Sequence, residues 1–420
     1  MEISKIIFYI IIAIISFEFI IERALAYLNL KNWKLELPDN LKGIYDAEKY
    51  KKSMAYHKEN SKFSSITSSL SFVILLTVLF LNGFAFLDDW VRNITTNPIL
   101  MTLLFFGVIG LISEIIGLPF SYYQTFVIEE KYGFNKSSLK TFVLDLLKSW
   151  LLALILGGIL ISLIVWIYSF SGDYFWLLAW ICISVFMIFM NLFYSQLIVP
   201  LFNKQTPLEE GDLRNEIEKF ASKVDFKLDN IFVIDGSKRS SKANAYFSGL
   251  WKKKRIVLYD TLIKEQSVEE IVAVLAHEVG HYKKKHTQWQ LILGLANSAI
   301  MLFLLGLFIK QDGVLSEYMA SAINAQASFH IGILVFALLY SPISNIISVF
   351  TNSLSRKFEY QADRFASENY SAEDLQNALI NLSRNNLSNL NPHPAYVWYY
   401  YSHPPLLERI NAINDFKPKL

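Results

Sequence analysis

Seven stretches of this chain are long and apolar enough to cross a bilayer: residues near 4–21, 66–87, 99–119, 149–169, 175–200, 288–309 and 327–351. A spanning helix needs about 20 such residues, because it crosses roughly 30 Å of hydrocarbon with its backbone groups bonded internally. Five of the seven hold no Asp, Glu, Lys or Arg; the third carries Glu114, and the first carries Lys5 and Glu18. Of the 420 residues, 53% are hydrophobic and 18% charged, against about 25% charged in an ordinary soluble domain. The surplus apolar mass belongs in lipid, and the predicted fold class is an all-α polytopic membrane protein. Net charge is +2, too small a field to capture nucleic acid, so lipids are expected as partners and nucleic acid is not. The one cysteine, Cys182, lies in an apolar run and has no partner for an intrachain disulfide.

The first stretch resembles a signal peptide up to Ala24-Leu25-Ala26. However, Glu18, Glu22 and Arg23 stand where the cleavage transition should be, so it is read as a retained span. Loop charge gives the orientation. Nine Lys and Arg lie between Arg23 and Lys62, four between Lys131 and Lys148, and many more in 201–287. The alternate connections are poor in them. The rule places the N-terminus outside and the long loops in the cytosol. Short outer loops favour a bacterial inner membrane slightly over the endoplasmic reticulum. The expected units are a membrane region 1–200 with five spans, a cytosolic region 201–287, spans six and seven in 288–352, and a helical cytosolic region 353–420. Within 201–287, Pro207 and Leu208 are expected to open a helix, Ile231–Asp235 a strand, and Ala243–Leu250 with Arg255–Tyr259 a β-hairpin. Another helix is expected from Val268, with Ser267 as its N-cap.

That last helix carries His277-Glu278-Val279-Gly280-His281. Positions i and i+4 share one helix face, so His277 and His281 can hold a single zinc ion. Glu278, beside that face, can accept a proton from the attacking water and pass it to the leaving amine. One protein ligand is still needed. His286 is five residues past His281 and points elsewhere on a continuous helix, and His330 sits in an apolar span. Glu359, just past the seventh span, is the better candidate. Asp363 follows it one turn later and can accept the second ring N–H of a ligand histidine.

With these residues placed, the sequence resembles the integral-membrane zinc metalloproteases of the CAAX-prenyl-protease type 1 (Ste24-like) group. The resemblance runs through Leu118–Ser121, Thr125–Asn135, Pro200–Lys204, Ser241–Gly249, His277–His281, Glu359–Asp363 and Tyr401–Ile410. It implies a barrel of seven transmembrane helices around a water-filled chamber, with a small cytosolic α+β, zincin-like protease region. It implies one zinc ion held by His277, His281 and Glu359, with Glu278 as base and Asp363 supporting the ligands. It further implies that His403 and Arg409 face the site, to stabilise the oxyanion or orient substrate. Asn244, Ala245, Tyr246, Phe247 and Ser248 would form the edge strand that pairs with substrate. The expected function is a membrane-embedded zinc metalloendopeptidase acting on peptides or proteins, and the resemblance implies processing of CAAX-type prenylated C-terminal peptides. General quality control of membrane proteins is the alternative in the same class. A seven-span transporter or scaffold with structural zinc is the alternative in another, and it would have no use for Glu278.

Overall fold

The computed structural model describes residues 2–33, 46–227, 230–248, 255–310 and 313–416. Among them, six helical runs are long and apolar enough to span: Glu2–Lys31, Ala47–Phe80, Pro98–Tyr132, Leu139–Phe202, His286–Phe308 and Phe329–Asn369. The fourth has 64 residues and would measure about 96 Å if straight, roughly three bilayer cores. It makes two passes instead. The chain reverses at Gly172, where φ is +50°, between the helices Gly158–Ser171 and Phe175–Phe193, which pack on one another. Seven crossings result, as the sequence predicts.

The second crossing departs from its expected bounds of 66–87. Its helix runs from Ala47, capped by the Asp46 side chain, to Phe80. Asn82 then takes a left-handed φ of 56° and starts a separate helix, Gly83–Ile94. The Lys- and Ser-rich first half of the long helix is too polar to register as a span, and the Asn82-Gly83 break lies inside the apolar stretch.

Contacts sort the connections onto two rims. On one, Asn32 donates to the Asn391 carbonyl, Ser53 to that of Leu387, and Arg239 pairs with Asp145. On the other, Asn324 donates to Asn82, Lys310 pairs with Asp173, and the Tyr168 hydroxyl donates to the Ile309 carbonyl. Among the described residues, the basic connections near 46–62, 131–148 and 201–287 meet at the first rim, through Lys131 with Glu59, Lys242 with Glu129 and Arg239 with Asp145. Between the rims, only 6% to 17% of each run's most apolar window is buried. The helices there are thus largely uncovered by the rest of the protein. Polar groups within the spans find partners across helices: Asn345 with Glu18 at 2.7 Å and His330 with Asp88 at 2.6 Å.

At the basic rim sits a four-stranded sheet of β1 (Gln205–Pro207), β2 (Asn230–Ile234), β3 (Ala245–Ser248) and β4 (Arg255–Tyr259), in the order β1-β2-β4-β3. β2 and β4 run parallel, and β3 pairs antiparallel with β4, Ala245 opposite Leu258. The expected hairpin is thus present, although its turn at 251–254 lies outside the described residues. Pro207 corrects an expectation: it closes β1, and the helix begins only at Asp212. Leu208 is buried beneath the sheet rather than in that helix. The C-terminal region also continues helical beyond Pro394, as Pro394–Tyr400 and Leu406–Phe416. One apolar core joins the sheet to these helices through Ile256, Leu258, Val272, Leu275, Ala276, Leu375 and Ile413.

Candidate metal centre

The motif helix, Val268–Lys283, starts with a reciprocal cap. Ser267 accepts from the Glu270 backbone N–H, and the Glu270 carboxylate accepts from that of Ser267. Ile271, Val272, Leu275, Ala276 and Val279 are buried in the core and fix its rotation. Gly280 explains how a second helix comes close enough. A Cβ there would stand 3.1 Å from the Cα of Ala362 and 3.2 Å from its carbonyl oxygen. The long helix Phe329–Asn369 therefore lies directly on the motif helix, and Glu359 and Asp363 face the two histidines.

Glu359 is buried, and ligand atoms of His277, His281 and Glu359 lie within 4.8 Å of one another. The Nε2 atoms of the two histidines are 3.1 Å apart. Each also lies near a Glu359 oxygen, at 3.4 Å from His277 and 3.3 Å from His281. Ligands about 2.0–2.1 Å from one tetrahedral zinc ion would stand about 3.3 Å from each other. Glu359 Oε2 is buried with no hydrogen-bond partner among the described residues. This donor set fits a zinc ion without rearrangement.

Asp363 is fully buried behind His277. His277 Nδ1 donates to its Oδ1 at 2.9 Å, so the neutral form of the ring keeps Nε2 bare toward Glu359. Arg409 grips the same carboxylate by Nε at 2.8 Å and Nη2 at 2.5 Å. Burial works against a charged His277, but the Asp363 and Glu359 carboxylates beside it outweigh that and push its pKa up to about 9. The pocket thus favours positive charge at that position. Burial likewise opposes the Arg409 charge, and the Asp363 pair more than restores it.

A cavity of about 440 Å³ joins these groups to Glu278, His403 and Asn244–Tyr246. Glu278 is half-buried on its wall. His403 reaches in from the C-terminal segment, its Nε2 3.3 Å from Glu359 Oε1 and its Nδ1 3.0 Å from the Ser402 hydroxyl. Arg409 lies deeper: its two shortest bonds go to Asp363, with one nitrogen 3.6 Å from Glu359. β3 borders the cavity as the edge of its sheet. Phe247 and Ser248 extend that strand, but their side chains lie outside the described residues.

Three neighbours of the site were not predicted. Asn386 clamps the start of β3, accepting from the Ala243 N–H and donating to its carbonyl. His286 and Gln361 stand behind His281. The sequence offers no periodic signal for Asn386. On one continuous helix His286 would point away from the site; the structure breaks that helix into two and brings it in.

Comparison with known proteins covers nearly the whole chain. Residues 207–417 match peptidase family M48, and residues 26–204 match the CAAX prenyl protease N-terminal region, described as five membrane helices. A CAAX prenyl protease 1 homolog of Arabidopsis thaliana is 38% identical over 390 residues, 90% of each chain. The Homo sapiens homolog is 34% identical over 429 residues, 91% of this chain and 89% of its own. The crystal structure of S. mikatae Ste24p superposes with a TM-score of 0.89 at 33% identity, covering 99% of both chains.

Proposed function

The chain belongs to peptidase family M48 and is a membrane metalloendopeptidase; from that premise we propose that it uses zinc, faces the cytosol and processes CAAX-type prenylated C-terminal peptides. The observation that carries the proposal is the convergence of His277, His281, Glu359 and Glu278 in one cavity bordered by the edge strand β3.

His277, His281 and Glu359 would hold the ion. A zinc ion so held supplies Lewis acidity, polarising a scissile carbonyl and making water a better nucleophile. Glu278 takes the proton from the attacking water and delivers it to the leaving amine. His403 donates from Nε2 to the oxygen on which negative charge develops. Arg409 holds Asp363, which holds His277, and adds a fixed positive charge behind the site. The free edge of β3, from Asn244 to Ser248, binds substrate as an added strand, reading main chain and tolerating varied side chains.

The relatives are named as CAAX prenyl proteases, which brings the substrate class. The membrane setting suits it, since a prenyl chain partitions into lipid beside the site. The division into 1–200, 201–287, 288–352 and 353–420 is kept as the working map of units. The preference for a bacterial inner membrane draws on short outer connections, and the relatives above are eukaryotic, so fractionation of the source cell is its test.

Glu278→Gln tests the chemistry. Turnover should fall about 10²–10⁴-fold, the usual worth of a general base, while zinc content of the purified protein stays at one per chain. Full retained turnover would remove Glu278 from the role. The same variant in membranes should trap farnesylated peptide in preference to its unmodified twin. Equal trapping of both would favour a general quality-control protease.

A further inference from the structure

The motif helix ends at Lys283, and Lys285 takes a left-handed φ of 62° before the next helix begins at His286. This break folds His286 back against His281. The His286 ring is 1% exposed and stacks on Phe358, with ring centroids 4.1 Å apart and planes 9° off parallel. Both of its nitrogens are engaged. Nε2 lies 2.8 Å from Gln361 Oε1, and Nδ1 lies 3.0 Å from Nδ1 of His281.

The direction of this chain follows from its far end. An amide oxygen only accepts, so His286 Nε2 carries the hydrogen. A neutral His286 then has a bare Nδ1, which accepts the Nδ1–H of His281. That leaves Nε2 of His281 as a lone pair aimed at Glu359 Oε1, 3.3 Å away, and at His277 Nε2. The opposite direction would place an N–H on His281 Nε2 and deny the ion a ligand. His277 has its tautomer set by Asp363; among the described residues, His281 has this imidazole and amide behind it in place of a carboxylate.

We propose that His286 is a positioning residue that fixes the tautomer and ring plane of His281 as a metal ligand, with Gln361 fixing His286 in turn. This rests on His281 being a ligand, as assigned above. Its role differs from packing because it depends on an acceptor at one atom.

The test compares zinc affinity, by chelator competition, across purified full-length variants. His286→Phe keeps the bulk and the stack on Phe358 but offers no acceptor. His286→Asn places an amide oxygen near the former Nδ1. Affinity should fall about 10- to 100-fold in His286→Phe, the usual effect of losing the partner of a ligand histidine. It should return to within a few-fold of wild type in His286→Asn. Gln361→Leu should fall between. Wild-type affinity in His286→Phe would overturn the proposal, as would equal losses in the Phe and Asn variants, which would mark a packing role. His281→Ala separates the two levels. If it leaves affinity unchanged, the ligand assignment itself fails; if it lowers affinity while His286→Phe does not, only the positioning role fails.

Discussion

Asp363 has no exposed surface, yet it joins His277 to Arg409 across three elements of the fold. An amide in its place presents one acceptor and one donor to three N–H groups, one from His277 and two from Arg409. In Asp363→Asn, at least one of these three contacts must become a clash of hydrogens. Zinc affinity should drop about 10- to 100-fold, measured by chelator competition. The buried Arg409 loses its counter-charge, and breaking a buried pair this way costs about 3–5 kcal/mol, seen as a lower unfolding midpoint. Unchanged affinity and stability together would show that Asp363 supports neither partner. Much of this residue-level picture was legible in the sequence. Spacing of i and i+4 on a helix is local geometry, so His277 with His281, and Glu359 with Asp363, could be paired off without knowing the fold. His286 could not, because its position depends on a break at Lys284-Lys285 that has neither Gly nor Pro to announce it.

At the scale of elements, the site exists because two helices touch without a side chain between them. Gly280 stands against Ala362, three residues beyond Glu359. Gly280→Val should force the helices apart, since the obstructing atoms at Ala362 are backbone and cannot rotate away. Overpacking of this kind costs about 1–3 kcal/mol. Zinc affinity should fall with it, because Glu359 moves away from the histidines. Loss of stability with full affinity would mean that the long helix shifts along its axis rather than outward. Elements with their own periodicity, such as the motif helix and the β3–β4 hairpin, were readable in advance. β1 was not: three residues ending in proline carry no alternation, and β1 exists through its pairing with β2. The strand order β1-β2-β4-β3 is likewise a tertiary outcome, with the helix Asp212–Lys223 and the motif helix both packed beneath the sheet.

For the molecule as a whole, the number of crossings decides which rim carries the site. The 64-residue helical run Leu139–Phe202 is the place where the count could fail. As one pass it would leave six crossings and put both chain ends on one side of the membrane. As two passes, the turn at Gly172-Asp173 emerges on the rim opposite the sheet, where Asp173 pairs with Lys310. The native chain has a single cysteine, Cys182, so Cys182→Ser gives a clean background for labelling. Asp173→Cys and Glu210→Cys are suited to it, because the two carboxylate side chains are 73% and 81% exposed. In sealed vesicles of one orientation, a membrane-impermeant maleimide should label only one of the two positions, and in inverted vesicles only the other. With the basic loops inside, Glu210→Cys should label from the cytosolic face, the side from which a prenylated cytosolic peptide would approach. Labelling of both from one side would collapse the two passes into one. Labelling of Glu210→Cys from the outer face would keep the fold but move the proposed peptidase site to the other compartment.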